Sequence, residues 1–310
     1  MTAIELAGLT KVYGTTRVLD DVALAVEEGS VFGFLGPNGA GKTTTLRILT
    51  GLARPTSGSA CVFGHPAGSH EVRVVSGYLP DVPGFYPWMT APEFLRFAGG
   101  LFGIARPLLD ERVRVLLDLA GLSGVTTRVG GFSRGMKQRL GVAQALINAP
   151  RLLMLDEPTS ALDPLGRKEV LDMIASLHGR TTVFFSTHIL ADVERVCDTV
   201  AVLDQGRVVA QAPIDELRSR YGAQRVTIEV DRDADVLETA LMREPWVTSV
   251  AHSADGAFTL AVTDVDVAQR ALPAIIAQRG LALRRLEGGE VSLEEVFVDL
   301  VGHDVGRGVS

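Results

Sequence analysis

The stretch from Val31 to Thr45, VFGFLGPNGAGKTTT, constrains the fold more than any other part of the chain. Its apolar run, Val31–Leu35, has the length and composition of a buried strand, and Gly36 interrupts that run. Residues 36–43 then satisfy the pattern G-x-x-x-x-G-K-[ST], in which a glycine-rich loop joins a strand to a helix. The stretch therefore predicts a strand, a phosphate-binding loop and a helix.

The residue types in this loop suit a polyphosphate ligand. Backbone N–H groups have to converge on phosphate oxygens, and side chains at Gly36, Gly39 or Gly41 would obstruct that approach. Lys42 supplies positive charge for the β- and γ-phosphates, and the Thr43 hydroxyl can ligate Mg²⁺. A glycine-rich surface turn is the alternative interpretation. The predicted nucleotide-binding residues are Gly36, Pro37, Asn38, Gly39, Ala40, Gly41, Lys42, Thr43 and Thr44.

The composition indicates a folded chain with more than one domain. Its 310 residues exceed the length at which single hydrophobic cores stop growing, so two domains are expected. No run reaches the roughly 18 apolar residues of a membrane-spanning helix, and the N-terminus lacks the pattern of a secretory signal. The two cysteines form no C-x-x-C, which favours reduced thiols. A net charge of −7 argues against nucleic acid as a partner.

Strand and helix patterns alternate after the glycine-rich loop and predict a parallel α/β sheet with nucleotide at the carboxyl ends of its strands. A helical segment is expected at about 85–150. The predicted strands lie in 1–30 and over 31–35, 60–65, 75–80, 152–155 and 181–186, with a hairpin over 198–203 and 206–210. The predicted helices cover 42–52, 92–102, 108–119, 133–149, 164–178 and 189–196.

Near Tyr221 the pattern restarts. Residues 225–287 give the order β-α-β-β-α-β, which predicts a small α+β domain of the ferredoxin-like type. Ser292 and Glu295 form a capping box that predicts a last amphipathic helix. The expected domains are therefore residues 1–220 and residues 221–310.

Acidic residues and a histidine follow two of the predicted strands. Asp156 can hold Mg²⁺ beside Thr43, and Glu157 can polarise the attacking water as a general base. His188 can hydrogen bond to a γ-phosphate or to that water. The alternatives are a solvated acidic turn and a structural histidine. Tyr13 could equally stack on an adenine ring or be half-buried core.

Several stretches together resemble the nucleotide-binding subunits of ABC transporters, over about residues 1–220. Gly36 to Thr43 matches the Walker A motif, and residues 152–156 with Glu157 match Walker B and the catalytic glutamate. Residues 160–163 look like the D-loop, His188 like the switch histidine, and residues 132–139 like the signature sequence. The resemblance implies a P-loop NTPase fold with a helical subdomain, an ATPase, and ATP and Mg²⁺ as cofactors.

The resemblance also implies a dimer. Ser133 and the Gly135 amide lie at a predicted helix N-terminus, which can hold a second anion. In the family that anion is the γ-phosphate bound to the opposite subunit, and Asp163 of the D-loop belongs to the same shared site. A second copy of this chain is favoured over a different ATP-binding chain.

Two motifs depart from the family pattern. The usual L-S-G-G-Q reads Phe132-Ser133-Arg134-Gly135-Met136. Asp81 replaces the glutamine that contacts Mg²⁺ in the family, and its acidic side chain can still approach the metal. Both variants resemble those of a subgroup whose partner is a membrane permease of the ABC-2 export type. The aromatic run 85–88 lies where the family docks that permease, although it could instead be local core.

The leading interpretation is a subunit that hydrolyses ATP to power a separate transmembrane permease, an exporter, at the cytoplasmic face of the membrane. One alternative is a soluble ABC-type ATPase acting on ribosomes or DNA, although neither a second phosphate loop nor sustained heptads occur. The other is a nucleotide-binding regulatory module without turnover, which Met136 and Asp81 would suit.

Overall fold

A computed structural model describes residues 1–160, 162–216, 224–230, 234–252 and 257–289. The chain divides into two compact units, Met1–Pro213 and the residues from Ile214 onward. This division falls slightly before the predicted boundary at residue 221. Within the described ranges, no helix is long and apolar enough to cross a bilayer.

The first unit contains an antiparallel sheet with the strand order β2-β1-β4-β5. Gly14, with a φ of 59°, lies in the tight turn between β1 and β2, and so short a connection permits only antiparallel pairing. The strands predicted in 1–30 thus form a sheet of their own, separate from the parallel one. Its strands are β1 (Thr2–Tyr13), β2 (Thr16–Glu27), β4 (Ser57–Val62) and β5 (His65–Pro66).

The second sheet of this unit has the order β10-β9-β3-β8-β7-β6, and all its strands except β10 are parallel. Every residue of β3, β7 and β8 is buried, as expected for strands covered on both faces. The hairpin to β10 turns at Gln205 and Gly206, both with positive φ. The strands are β3 (Val31–Leu35), β6 (Ser76–Leu79), β7 (Leu152–Asp156), β8 (Thr182–Thr187), β9 (Thr199–Asp204) and β10 (Arg207–Pro213).

Two helices of the first unit begin at residues that the sequence predicts as caps. Ser133 accepts a hydrogen bond from the Met136 amide, and Asp163 accepts one from the Gly166 amide. The helices are α1 (Lys42–Leu49), α2 (His70–Val75), α3 (Ala91–Gly100), α4 (Arg106–Leu119), α5 (Arg134–Ala145), α6 (Pro164–Ala175) and α7 (Leu190–Val196), with a 3₁₀ turn at Val129–Gly131.

Three of the predicted helices end early, and one further helix was not predicted. Helix α5 ends at Ala145 rather than at residue 149. Helix α1 ends before residue 52 and α6 before residue 178, because the chain turns after each at a glycine with positive φ, Gly51 and Gly179. Helix α2 was not predicted. It begins at Ser69, whose side chain accepts a hydrogen bond from the Val72 amide.

One hydrophobic core joins both sheets of the first unit through α1. It includes Leu24 of the antiparallel sheet, Leu46 of α1 and Met154 of the parallel sheet. The rings of Phe32 and Phe184 stack within it, with centroids 5.5 Å apart. This core fixes α1, and hence the glycine-rich loop before it, against the carboxyl end of β3.

The second unit has the predicted order β-α-β-β-α-β. Its antiparallel sheet runs β12-β13-β11-β14, and its core includes Val226, Leu237, Phe258 and Leu272. The elements are β11 (Gln224–Val230), α8 (Ala234–Leu241), β12 (Val247–His252), β13 (Ala257–Val262), α9 (Val265–Gln278) and β14 (Leu283–Gly289). The predicted capping box at Ser292 and Glu295 lies outside the described residues.

Candidate nucleotide-binding site

The glycine-rich loop follows β3 and needs its glycines for space. A Cβ at Gly36 would lie 2.3 Å from the Leu203 carbonyl oxygen, and one at Gly41 would lie 2.5 Å from Leu19. Gly41 also has a φ of 113°, in a region that favours glycine. Pro37 is half-buried, Asn38 and Gly39 are exposed, Ala40 is buried, and Thr44 is half-buried in the first turn of α1.

Lys42 is only 5% exposed, and its ammonium group has three acceptors. It donates to the Gly36 carbonyl at 2.7 Å and to the Pro37 carbonyl at 3.1 Å, and its Nζ lies 3.1 Å from Oε1 of Glu157. These contacts hold the positive charge against the loop. The predicted phosphate-binding lysine and the predicted general base are therefore neighbours.

Asp156, at the end of β7, is 1% exposed. Its Oδ1 accepts hydrogen bonds from Thr43 Oγ1 at 3.1 Å and from Ser186 Oγ at 2.7 Å. Burial raises the pKa of this carboxyl above its ordinary value, the two hydrogen bonds partly oppose the rise, and the charges of Asp81 and Glu157 add to it. A neighbouring cation would favour the ionised form.

Thr43 and Asp156 fit a Mg²⁺ ion, because both offer oxygen and the ion takes its remaining ligands from water and substrate phosphates. The part of the chain that the structure describes contains no cluster of three or more His, Cys, Asp or Glu side chains that could hold a metal alone.

Glu157 adopts a φ of 50°, which is uncommon for a residue with a side chain. Its amide donates to the Ser186 carbonyl at 3.1 Å and approaches Ser186 Oγ at 3.2 Å. Its Oε2 lies 2.9 Å from Nδ1 of His188, whose side chain is partly exposed. The two predicted catalytic side chains are therefore in direct contact.

Ser186 is a site residue that the sequence did not reveal. Its hydroxyl donates to Asp156 and faces the Glu157 amide, so it joins the ends of β7 and β8. The only available signal was a hydroxyl residue in the apolar run TVFFST of β8, and such residues occur in many buried strands.

Two further predicted site residues lie on the surface. Asp81 is exposed, and its Oδ1 accepts a hydrogen bond from Ser160 at 3.4 Å, while its charge acts on Asp156. Tyr13 is exposed, and Lys11 Nζ lies 4.5 Å from the centroid of its ring. No hydrogen bond joins Tyr13 to the glycine-rich loop among the described residues.

The signature segment and the D-loop form a second cleft. Ser133 caps α5 and Asp163 caps α6, and a Cβ at Gly135 would lie 3.9 Å from Cα of Gly166. The cleft lining includes Ser133, Arg134, Gly135, Met136, Asp163 and Gly166. Over the ranges that the structure covers, no hydrogen bond or ion pair connects these residues to the glycine-rich loop.

The aromatic run 85–88 is partly core and partly surface. The Tyr86 ring lies 5.2 Å from that of Trp88 and 5.3 Å from that of Phe97, and Phe85 contacts Phe94. Trp88 is nonetheless 59% exposed. A groove beside these rings is lined by Phe85, Tyr86, Phe94, Phe97, Leu101 and Gln144.

Two family models match the chain. The model described as ABC transporter matches residues 19–160. The model described as ATP-binding protein DrrA1-3-like, C-terminal domain, matches residues 213–301.

Known proteins resemble almost the whole chain. It is 40% identical over 299 residues to the uncharacterized ABC transporter ATP-binding protein YxlF of Bacillus subtilis, covering 96% of this chain and 99% of that protein. It is 36% identical to Nod factor export ATP-binding protein I of Cupriavidus pinatubonensis, covering 98% and 93%. A solved ATP-binding subunit of an ABC transporter superposes with a TM-score of 0.64 and 32% identity, covering 71% and 93%. The chain therefore belongs to the ATP-binding proteins of ABC transporters, as the motifs predict, and is an ATPase that powers a transporter.

Proposed function

We propose that Glu157 is the general base of ATP hydrolysis and that His188 orients the reaction. The observation that carries this proposal is the position of the Glu157 carboxylate between Lys42 Nζ, at 3.1 Å, and His188 Nδ1, at 2.9 Å. Each carboxylate oxygen has its own partner, so the group is held at the end of β7 beside the phosphate-binding loop. A general base must lie within hydrogen-bond reach of the water that it activates.

The remaining residues have separate roles in binding phosphate and metal and in orienting the attacking water. The backbone N–H groups of Gly36 and of Asn38 to Thr43, with the Lys42 ammonium, would bind the β- and γ-phosphates, and Thr43 and Asp156 would hold Mg²⁺, whose charge would neutralise phosphate charge. Glu157 takes the proton of the attacking water, and His188 donates to the γ-phosphate or holds that water. Asp81 acts on the metal through its charge, and Tyr13 stacks on the adenine.

The substitution Glu157→Gln tests the assignment of the base. It removes the proton acceptor while keeping the side-chain shape, so we expect kcat for Mg²⁺-dependent ATP hydrolysis to fall by about 100-fold or more and nucleotide affinity to change little. Glu287→Gln, an exposed carboxylate of β14, is the matched control and should hydrolyse ATP as the wild type does. A Glu157→Gln chain that keeps most of its activity would assign the base elsewhere.

We propose further that two copies of this chain sandwich two ATP molecules. Each Ser133 hydroxyl and Gly135 amide would contact the γ-phosphate held by the loop of the other copy, with Asp163 beside them. Two features support this: the second cleft offers helix N-termini and the Arg134 charge, and no described contact joins it to the loop of its own chain.

Substitutions at Ser133 separate its capping role from a role in phosphate binding. Aspartate caps helices as well as serine does, so Ser133→Asp should keep the stability of α5, whereas Ser133→Ala should lose about 1 kcal/mol. The added negative charge should nevertheless prevent dimer formation with ATP. Light scattering of both variants in the Glu157→Gln background measures this, and an ATP-dependent Ser133→Asp dimer would refute the arrangement.

The transporter partner is proposed to be an ABC-2 type permease that exports its substrate, with this chain at the cytoplasmic face of the membrane. The exposed Trp88 and the adjoining groove suit a docking helix, since aromatic residues are enriched at binding hot spots. The relative named for Nod factor export supports the direction. Trp88→Ala should abolish co-sedimentation with permease-containing membranes, whereas Leu52→Ala, at an apolar residue that is even more exposed, should not.

We propose that residues 1–220 form the ATP-binding domain and residues 221–310 an accessory domain that stabilises the dimer or regulates it. The division of the chain after Pro213 and the C-terminal family match starting at residue 213 support a boundary in this region.

A further inference from the structure

Asp192 is a buried carboxylate that no step of the proposed reaction uses. It lies in the first turn of α7, and its exposure is 0%. Its Oδ2 accepts a hydrogen bond from Thr159 Oγ1, and its Oδ1 forms an ion pair with Arg167 Nε. A charge in such surroundings persists only when it is well paired, which requires both donors to stay in place.

The two donors come from segments that carry proposed site residues. Thr159 follows Glu157 in the turn after β7, and Arg167 follows Asp163 in the first turns of α6. Asp192 lies four residues after His188, which directly follows β8. The buried Asp192 side chain therefore links three segments: the one that carries Glu157, the one that carries Asp163 of the second cleft, and the one that carries His188.

We propose that Asp192 is a positioning residue that makes these three segments move as one body, an inference that rests on the roles proposed for Glu157, His188 and Asp163. Asp192 touches neither nucleotide nor metal. It holds Thr159 and Arg167 against α7, so that a displacement of His188 is transmitted to the cap of α6. Without its charge, the turn would keep its own hydrogen bonds but lose its attachment to α7.

The same pair of helices provides a matched control. Asp172 of α6 accepts a hydrogen bond from Arg195 of α7 at 2.7 Å, so it too is an Asp–Arg pair between these helices. Its side chains are 55% and 41% exposed, and exposed pairs contribute little to stability. Asp172→Asn and Asp192→Asn each remove a carboxylate from the interface between α6 and α7. The main difference is that the Asp192 side chain is buried and the Asp172 side chain is exposed.

Amide hydrogen exchange in the full chain tests the attachment directly. The Ser160 amide bonds to the Glu157 carbonyl at 3.2 Å, and the Leu162 amide to the Thr159 carbonyl at 3.3 Å, so both report on the turn. Asp192→Asn should accelerate exchange of these two amides by about tenfold, while the Thr50 amide at the end of α1 should stay unchanged. Asp172→Asn should change none of them.

Hydrolysis provides the second readout. For Asp192→Asn we expect kcat to fall about tenfold with the ADP dissociation constant within about twofold of the wild type, because the loop is intact and the base is misplaced. Thr159→Val, which removes one donor at similar volume, should show the same effects in weaker form and serves if Asp192→Asn does not fold.

Two results would overturn the inference. One is equal exchange of the Ser160 and Leu162 amides in Asp192→Asn and Asp172→Asn, and the other is faster exchange with an unchanged kcat. Failure of the proposed catalytic roles is distinguishable, because Glu157→Gln would then keep its activity whatever Asp192→Asn does. If the wild-type chain alone hydrolyses no ATP, the comparison of amide exchange between Asp192→Asn and Asp172→Asn alone tests the inference.

Discussion

Lys42 and Glu157 place opposite charges almost out of contact with water. Their side chains are 6% and 11% exposed, with Nζ and Oε1 3.1 Å apart. Burying a charge costs free energy, and the attraction between the ammonium and the carboxylate offsets that cost. Removing one of the two groups leaves the other charge buried without its counter-ion. The lysine of the phosphate loop thus has a structural role in addition to phosphate binding.

This coupling predicts the outcome of a double-mutant cycle. Lys42→Met should lower the free energy of unfolding by about 3 kcal/mol, because it removes the cation beside the buried Glu157 carboxylate and leaves His188 as its side-chain partner. The double variant Lys42→Met/Glu157→Gln should lose at least about 1 kcal/mol less than the sum of the single variants. Urea denaturation at pH 7 without nucleotide measures all four proteins. Strictly additive losses would mean that the pair contributes nothing.

The raised pKa of Asp156 predicts a pH dependence of stability. Burial, with the charges of Asp81 and Glu157, makes the folded state bind the Asp156 proton more tightly than the unfolded state. The contribution of this carboxyl to stability therefore falls as pH rises from its ordinary value of 3.8 through the raised pKa. At lower pH the group is neutral in both states, and its ionisation has no effect on stability.

Replacing this carboxyl should therefore stabilise the protein at neutral pH. Without divalent cations, Asp156→Asn should melt about 3 °C above the wild type at pH 7, and the difference should shrink as pH falls toward 4. Thermal denaturation in EDTA across this range provides the test. A wild type that melts above the variant at pH 7 would contradict the expected sign.

Among single residues, the sequence predicted those that belong to a sequence motif. It did not predict those whose role depends on contacts with distant segments. Lys42, Thr43, Asp156, Glu157 and His188 were named from motifs, and the structure brings them together. Ser186 and Asp192 have no such pattern, because a buried hydroxyl or carboxylate depends on partners from distant segments.

At the scale of elements, Gly77 determines how closely β6 approaches α5. A Cβ at this position would lie 1.9 Å from the Ala145 carbonyl oxygen, which is backbone and cannot rotate away. The strand and the helix that begins at Ser133 are therefore in contact through a glycine.

Gly77→Ala should destabilise the first unit by about 2 kcal/mol, as overpacking commonly does. Gly84→Ala is the matched control, because a Cβ there meets nothing within 4 Å and the backbone has no positive φ. The midpoints of urea unfolding compare the two variants. Equal midpoints would show that β6 and α5 separate at little cost.

The sequence predicted most elements but not their arrangement. Buried strands such as β7 and the capped helices α5 and α6 follow from apolar runs and cap residues. The position of β3 between β8 and β9 does not, because pairing between strands far apart in the chain leaves no local signal.

At the scale of the whole molecule, the core of the first unit and that of the second have no residue in common among those that the structure describes. The core of the first unit draws on residues between Ile4 and Val208, and the core of the second on residues between Val226 and Leu286. Each unit therefore has a hydrophobic core of its own, as an independent domain does.

A chain of residues 1–213 should accordingly fold and bind ADP with a dissociation constant within about threefold of the full-length value, because loop, strand and helix are complete within it. Far-UV circular dichroism and isothermal titration measure folding and affinity. A fragment that aggregates or fails to bind would show that the first unit depends on the residues after Pro213.

The pairing of β3 has a consequence for the synthesis of the protein. The strand that leads into the glycine-rich loop is made early, but its neighbours on both sides, Thr182–Thr187 and Thr199–Asp204, are made much later. The β1–β2 hairpin can form as soon as it leaves the ribosome, whereas β3 can pair only after β8 and β9 have been synthesised. A nascent chain that ends before β8 therefore carries the whole Walker A motif without a site for ATP.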